Sequence, residues 1–311
     1  MIPVVRPNAR LLPWAVAGTL AVIGGAVIGF LLWRHPYAGL YGQDSYAYFF
    51  QARDLWRALP GRPPLPGDPY SAGALYHWPV GYHLQIIAGF LLSGESPAGG
   101  RLLTLALTVA APILLAALTA GLAPGAAGAR WGAGALAGLA LLAGGGYLRT
   151  GLSLMADVPA CACGLAGLAC AVRAWPPDPG APAPRSAGRW ALGAGLGLGG
   201  AILLRFGADL LLVPLAVYLA IRCWDRRRAP RAAELRLLLW AGLGGALALL
   251  PQAIYLAEYP AGLQPGGWLD TWSPANWWST TTNGPDGTQH FQEGGLLFYV
   301  QRPLGDAAAG R

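Results

Sequence analysis

Lysine is absent from the chain, and charge of either sign is scarce. Twenty-one basic residues, all of them Arg, and 14 acids make up only 11% of 311 residues. An ordinary soluble domain carries about 25% charged residues, so a surface that faces water throughout cannot be assembled from this composition. Disorder is excluded as well: 55% of residues are hydrophobic and the mean hydropathy is +0.43, the reverse of what a disordered chain needs. Glycine and proline are plentiful, 46 and 27, but follow no G-X-Y period, which rules out a collagen helix. Cysteine is sparse. Cys161, Cys163 and Cys170 share one apolar segment and Cys223 ends another. No Cys-x-x-Cys or Cys/His spacing suggests zinc, so all four read as small apolar packing groups. What remains is an all-α polytopic membrane protein.

Apolar runs place the spans. A spanning helix needs about 20 mostly apolar residues. The first run, Trp14 to Trp33, is longer than a signal-peptide core and is followed by His35-Pro36-Tyr37 rather than a small-residue cleavage site. It reads as an uncleaved span. Further runs cover 102–123, 131–148, 152–172, 190–204, 206–221 and 237–257, for about seven spans in all. The fifth and sixth are short and separated only by Leu204-Arg205-Phe206, which suggests two abbreviated helices meeting at a buried turn. Stretches such as "GAGALAGLALLAGGG" and "GAGLGLGG" let helix backbones approach closely inside a bilayer. They are not phosphate loops, since no GK[ST] follows them.

The placement of Arg sets the expected orientation. The N-terminus, 124–130, 173–189 and 222–236 hold twelve Arg against three acids, +9, leaving −2 for the rest of the chain. The overall charge of +7 therefore orients the protein and implies no nucleic-acid partner. The expectation is an inner (cytoplasmic) membrane protein with a cytoplasmic N-terminus and two long external segments, about 34–100 and 258–311. The first contains "GYHLQIIAGFLLSG", too short to span and read as an interfacial or re-entrant helix. The second contains Trp268, Trp272, Trp277 and Trp278, which serve either as interfacial anchors or as sugar or lipid contacts.

Ionisable groups in or beside spans are candidates for function, and three fall on the outer side. Asp44 lies in "YGQDSYAYFFQARDLW", an expected interfacial helix. Asp157 lies in "LSLMADVPACACG" at the end of the fourth span, where an acid can also serve as an ordinary helix N-terminus. Arg205 stands between the two short helices, with Asp209 one turn on as a candidate structural partner. In "YHWPVGYH", His77 and His83 lack a third ligand at metal spacing, and the Pro and Gly there suit a rigid turn. A carboxylate near the membrane surface can take a proton from an acceptor hydroxyl. A guanidinium beside it can hold the phosphate of a lipid-linked donor.

In their order, "GQDSYAYFFQAR", "YHWPVGYHLQIIAGFLLSG", "GGRLLTLALTVAAPILLAAL", "LSLMADVPACACGLAG" and "GLGLGGAILLRFGADLLLVPLAVYL" resemble the glycosyltransferase C superfamily. The similarity is to its branch of protein O-mannosyltransferases, aminoarabinose transferases and related bacterial membrane enzymes, over a seven-helix module spanning roughly 10–257. The resemblance implies Asp44 as catalytic base, Asp157 as the second external acid and Arg205 facing the donor phosphate. Tyr46, His77, Tyr82 and His83 are the expected substrate-binding residues. It further implies inverting transfer from a polyprenyl-phosphate sugar to a lipid, glycan or protein acceptor, outside the membrane and with no cofactor. Asp44 stands without an acidic neighbour, which weakens the case for a divalent metal without excluding one. Family members are usually longer, and this sequence stops at "LLFYVQRPLGDAAAGR", where another span would begin. The alternative expectation is a non-catalytic polytopic protein: a transporter, a lipid-binding scaffold or an inactive truncated transferase. No repeat between halves favours the transporter.

Overall fold

The computed structural model describes residues 11–34, 39–40, 42–58, 79–177, 184–225, 232–258, 280–284 and 287–291. These fall into two compact units, Met1–Ala72 with Pro79–Ile254, and Gly73–Trp78 with Tyr255–Arg311. The described part of the second unit is the end of one helix and a hairpin of β1 (Thr280–Gly284) and β2 (Gly287–Phe291). The strands are antiparallel, with Thr280 opposite Phe291 and Thr282 opposite Gln289. His77, the four outer Trp residues and the C-terminal "LLFYVQRPLGDAAAGR" lie outside the described residues.

The first unit is helical. In chain order its helices are α1 (Leu12–Arg34), α2 (Gly42–Arg57), α3 (Val80–Ser93), α4 (Pro97–Gly100), α5 (Leu102–Leu122), α6 (Ala127–Leu142) and α7 (Gly145–Leu152). After these come α8 (Asp157–Ala174), α9 (Ala187–Leu204), a 3-10 helix (Phe206–Leu211), α10 (Leu212–Asp225) and α11 (Ala232–Glu258). Among the described residues, five stretches are long and apolar enough to cross a membrane: α1, Pro97–Leu122, α8, α9 and Glu234–Glu258. The pair α6 and α7 makes a sixth if its 65° bend lies within one span. That number of apolar helices marks a multi-pass membrane protein.

Two expected spans differ in the structure. The run 131–148 is not one straight helix: it breaks at Ala143-Gly144, next to two further glycines that open α7 and weaken helix continuation. Helix α7 is tied to α5 beyond the break. The Tyr147 hydroxyl donates to the Thr108 carbonyl at 2.5 Å, and the Thr108 hydroxyl is shared between the carbonyls of Thr104 (2.7 Å) and Gly151 (3.3 Å). The second difference is at 190–221. There α9 is a full 18-residue helix, and the chain leaves it at an exposed Arg205, not at a buried turn.

Helices α8 and α9 form the centre of the unit. About half of each apolar stretch is buried, against 17% for α1 and for α11. They pack antiparallel through glycine. A Cβ on Gly167 would stand 2.8 Å from the Leu198 backbone nitrogen, and one on Gly197 would stand 2.5 Å from the nitrogen of Gly167. A Cβ on Gly193 would stand 3.2 Å from Cys170 Sγ, and Cys163 lies near Gly197 and Gly200. On the other side of α9, Gly195 meets the carbonyl oxygen of Ala241, and Gly244 on α11 meets that of Leu192. In hydrocarbon, such backbone contacts replace the hydrophobic drive that assembles soluble bundles.

The first-loop helices α2 and α3 pack on each other and on the bundle. Pro79, in extended conformation, turns the chain into α3. The Val80 amide donates to Gln252 Oε1 on α11 at 2.8 Å. At Gly81 a Cβ would fall 2.5 Å from the Leu203 carbonyl oxygen at the end of α9. Arg57 and Glu95 tie the end of α2 to the turn after α3 at 2.7 Å.

Candidate functional site

The antiparallel register of α8 and α9 brings the first residue of one beside the residue that ends the other. Asp157 opens α8, where the helix dipole favours a carboxylate, and Arg205 caps α9 in extended conformation. Arg205 Nη1 lies 2.6 Å from Asp157 Oδ2. The alternative partner, Asp209, is thus not the one the structure shows for Arg205 in this pair. Proximity between neighbouring helices has replaced the one-turn spacing suggested by the sequence.

A cavity of about 280 Å³ opens at this pair. Its walls include Ala160, Cys161, Leu165 and Leu211 beside the two charged groups. One polar corner with a guanidinium, set in apolar walls, suits an amphipathic anion. Stability does not explain the pair. Its side chains are 46% and 36% exposed, and an ion pair reached by water contributes about 0–1 kcal/mol. Asp157→Asn and Arg205→Gln should therefore each shift the thermal midpoint of the purified protein by only a few degrees, measured by intrinsic Trp fluorescence in detergent.

Asp44 is in the first turn of α2. It is exposed and is not among the residues that line the cavity. Tyr46 is 45% exposed and stacks on Phe50 at 6.3 Å between ring centroids. Tyr82 and His83 are fully buried, so neither ring has a surface open to a ligand. The Tyr82 hydroxyl is 3.1 Å from Thr104 Oγ1, which also accepts from Gln85 Nε2 at 3.0 Å. His83 Nδ1 is 3.3 Å from the Pro79 carbonyl oxygen and Nε2 is 3.1 Å from Gln51 Oε1. Burial lowers the His83 pKa to about 4, with the Pro79 contact opposing, so the ring is neutral at physiological pH. Their places make Tyr82 and His83 packing groups between α2 and α3.

The residue that sequence reasoning passed over is Tyr48. It is 5% exposed, one turn after Asp44, with its ring edge-on to Tyr82 at 4.8 Å and tilted to His83 at 5.4 Å. Its hydroxyl pKa is raised, chiefly by burial. The charge of Arg205 opposes that rise, while those of Asp44 and Asp157 add to it. Tyr48 is thus a buried aromatic of α2 packed against α3. The signal was present in the sequence as the spacing Asp44–Tyr48, since i and i+4 share a helix face. Among the described residues no three His, Cys, Asp or Glu side chains cluster as a metal site would require. Compared with known proteins, the chain matches no family model, no curated protein and no solved structure.

Proposed function

We propose that this chain is a membrane glycosyltransferase of the glycosyltransferase C type. It moves a sugar from a polyprenyl-phosphate donor to an acceptor hydroxyl on the extracytoplasmic side, with inversion. The observation that carries the reading is the Asp157–Arg205 pair at the mouth of an apolar-walled cavity. Arg205 binds the donor phosphate and stabilises charge on it as the sugar leaves. Asp157 orients the guanidinium, and Asp44 takes the proton of the acceptor hydroxyl.

Seven spans with a cytoplasmic N-terminus belong to the same proposal. Helix α10 is short, but it continues a 3-10 helix. Six residues at about 2.0 Å rise and the ten of α10 before Arg222 at about 1.5 Å give a combined reach of about 27 Å, close to the roughly 30 Å hydrocarbon thickness. Their crossing puts the Arg-rich 222–236 segment on the same side as the N-terminus, in keeping with the charge rule.

A transfer assay in native membranes with labelled polyprenyl-phosphate sugars tests the activity. In parallel, Arg205→Gln should weaken binding of a polyprenyl phosphate to the protein in nanodiscs by about 10- to 100-fold, the worth of a charged hydrogen bond. Unchanged affinity would remove Arg205 from the donor site. One observation favours a second reading, a lipid-phosphate-binding protein without catalysis: Asp44 is absent from the cavity lining. That reading expects the same loss of binding in Arg205→Gln and no transfer in the wild type.

A further inference from the structure

We propose that the cavity at the Asp157–Arg205 pair is a short slot that reads a phosphate and only the first five-carbon unit of a lipid tail, whatever the tail's full length. This rests on the reading of Arg205 as the phosphate site, while the depth of the slot is a separate claim. Both walls begin with a charge and then turn apolar. On α8, Asp157, Cys161 and Leu165 line the cavity, at i, i+4 and i+8 along one helix face. On the other stretch, Arg205 is followed by Gly207 and Leu211 of the 3-10 helix. A ligand between them is oriented, its anionic head at the guanidinium and its apolar part toward Leu165. Arg205 meets Asp157 through Nη1, which leaves further N–H donors of the guanidinium for a phosphate.

Depth and volume limit what fits. From Asp157 to Leu165 is eight residues, about 12 Å along the helix axis. At the charged end the slot is open, since a Cβ on Gly207 would meet nothing within 4 Å. At the far end Leu211 presses against α8, its Cδ1 occupying the place a Cβ on Gly164 would take. An apolar cavity of about 150 Å³ takes benzene, so by the same scale the 280 Å³ here takes about eleven heavy atoms. A phosphate ester of one five-carbon unit has about that many. Leu210, Leu212 and Val213, flanking Leu211, are exposed and offer an apolar surface to the bilayer. The remainder of a long tail therefore lies in hydrocarbon, where the protein does not read it.

The test is competition against a labelled polyprenyl phosphate, with the full chain in phosphatidylcholine nanodiscs. The competitors are inorganic phosphate and prenyl monophosphates of five, ten and fifteen carbons, each corrected for partition into protein-free nanodiscs. The five-carbon ester should compete about 100-fold or more better than inorganic phosphate, the worth of burying five carbons. The two longer esters should match it within about threefold. A climb of about tenfold from five to ten carbons overturns the slot, as does inorganic phosphate competing as well as the esters. Leu211→Ala removes the end wall and should give the ten-carbon ester an advantage of about tenfold over the five-carbon one. Gly207→Leu fills the open end and should weaken all three esters about tenfold, with the thermal midpoint kept. Wild-type binding in Gly207→Leu overturns the proposal even if Leu211→Ala does not fold. A flat series without sugar transfer sinks the catalytic reading and supports the slot. A steep series with transfer intact sinks the slot alone, and no ester binding at all sinks both the slot and the phosphate site.

Discussion

If Asp44 is the base of the proposed transferase, Asp44→Asn should lower sugar transfer by about 10²–10⁴-fold, the usual worth of a general base, while the protein inserts and accumulates as the wild type does. Asn matches Asp in size and still accepts a hydrogen bond at a helix start, so local structure is kept. What it cannot do is take a proton from the acceptor hydroxyl. Asp44 is exposed on the first turn of α2, which under the proposed function leaves it open to an acceptor while a donor phosphate occupies Arg205. The measurement is initial rate in membranes, normalised to protein by immunoblot. Full activity in Asp44→Asn removes the base from the mechanism. Absence of transfer in both wild type and variant, with lipid-phosphate binding intact, selects the non-catalytic reading.

Gly195→Leu should abolish the folded protein. Any Cβ at this position collides with the carbonyl oxygen of Ala241 and comes within 2.8 Å of the Gly245 nitrogen. These are backbone atoms of α11 and cannot swing aside as a flexible side chain could. Helices α9 and α11 must part, and every small-residue contact between them is lost together. Overpacking in a core typically costs about 1–3 kcal/mol, and a clash of backbone against backbone exceeds that range. Size-exclusion of a fluorescent fusion in detergent is the readout, with the monodisperse peak expected to vanish. Gly242→Leu is the control, since a Cβ there meets nothing within 4 Å. A wild-type peak in Gly195→Leu would mean that α9 and α11 do not pack as described.

The two predictions draw on different depths of the sequence. Helix positions are legible because a bilayer demands about 20 apolar residues in a row, and such runs mark α1, α5, α8, α9 and α11. The small-residue stretches are legible for the same reason, and the contacts of Gly167, Gly195, Gly197 and Gly244 are what those stretches make. Composition is blind to where a run bends. The Ala143-Gly144 junction lies inside an apolar window that averages to a span, so the 65° break does not register. Pairing across helices is blind in another way. Asp209 is near Arg205 in sequence, but the partner the structure gives is Asp157, chosen by the register of two helices. Tyr48 was within reach of periodicity alone, because Asp44 and position 48 share a face and position 46 does not.

The link between α3 and α11 bears on the order of assembly. Asp157 and Arg205 belong to consecutive spans, so the α8–α9 hairpin can close while the rest of the chain is still being made. The first-loop helices have no such freedom. Val80 hydrogen-bonds to Gln252, 172 residues later, and Gly81 rests on Leu203. Helices α2 and α3 are synthesised early, yet α3 gains its last anchor only after α11 has entered the bilayer. The first-loop helices are thus the final part to set, and a nascent chain halted before Gln252 would hold its ion pair while α3 still lacks its last anchor.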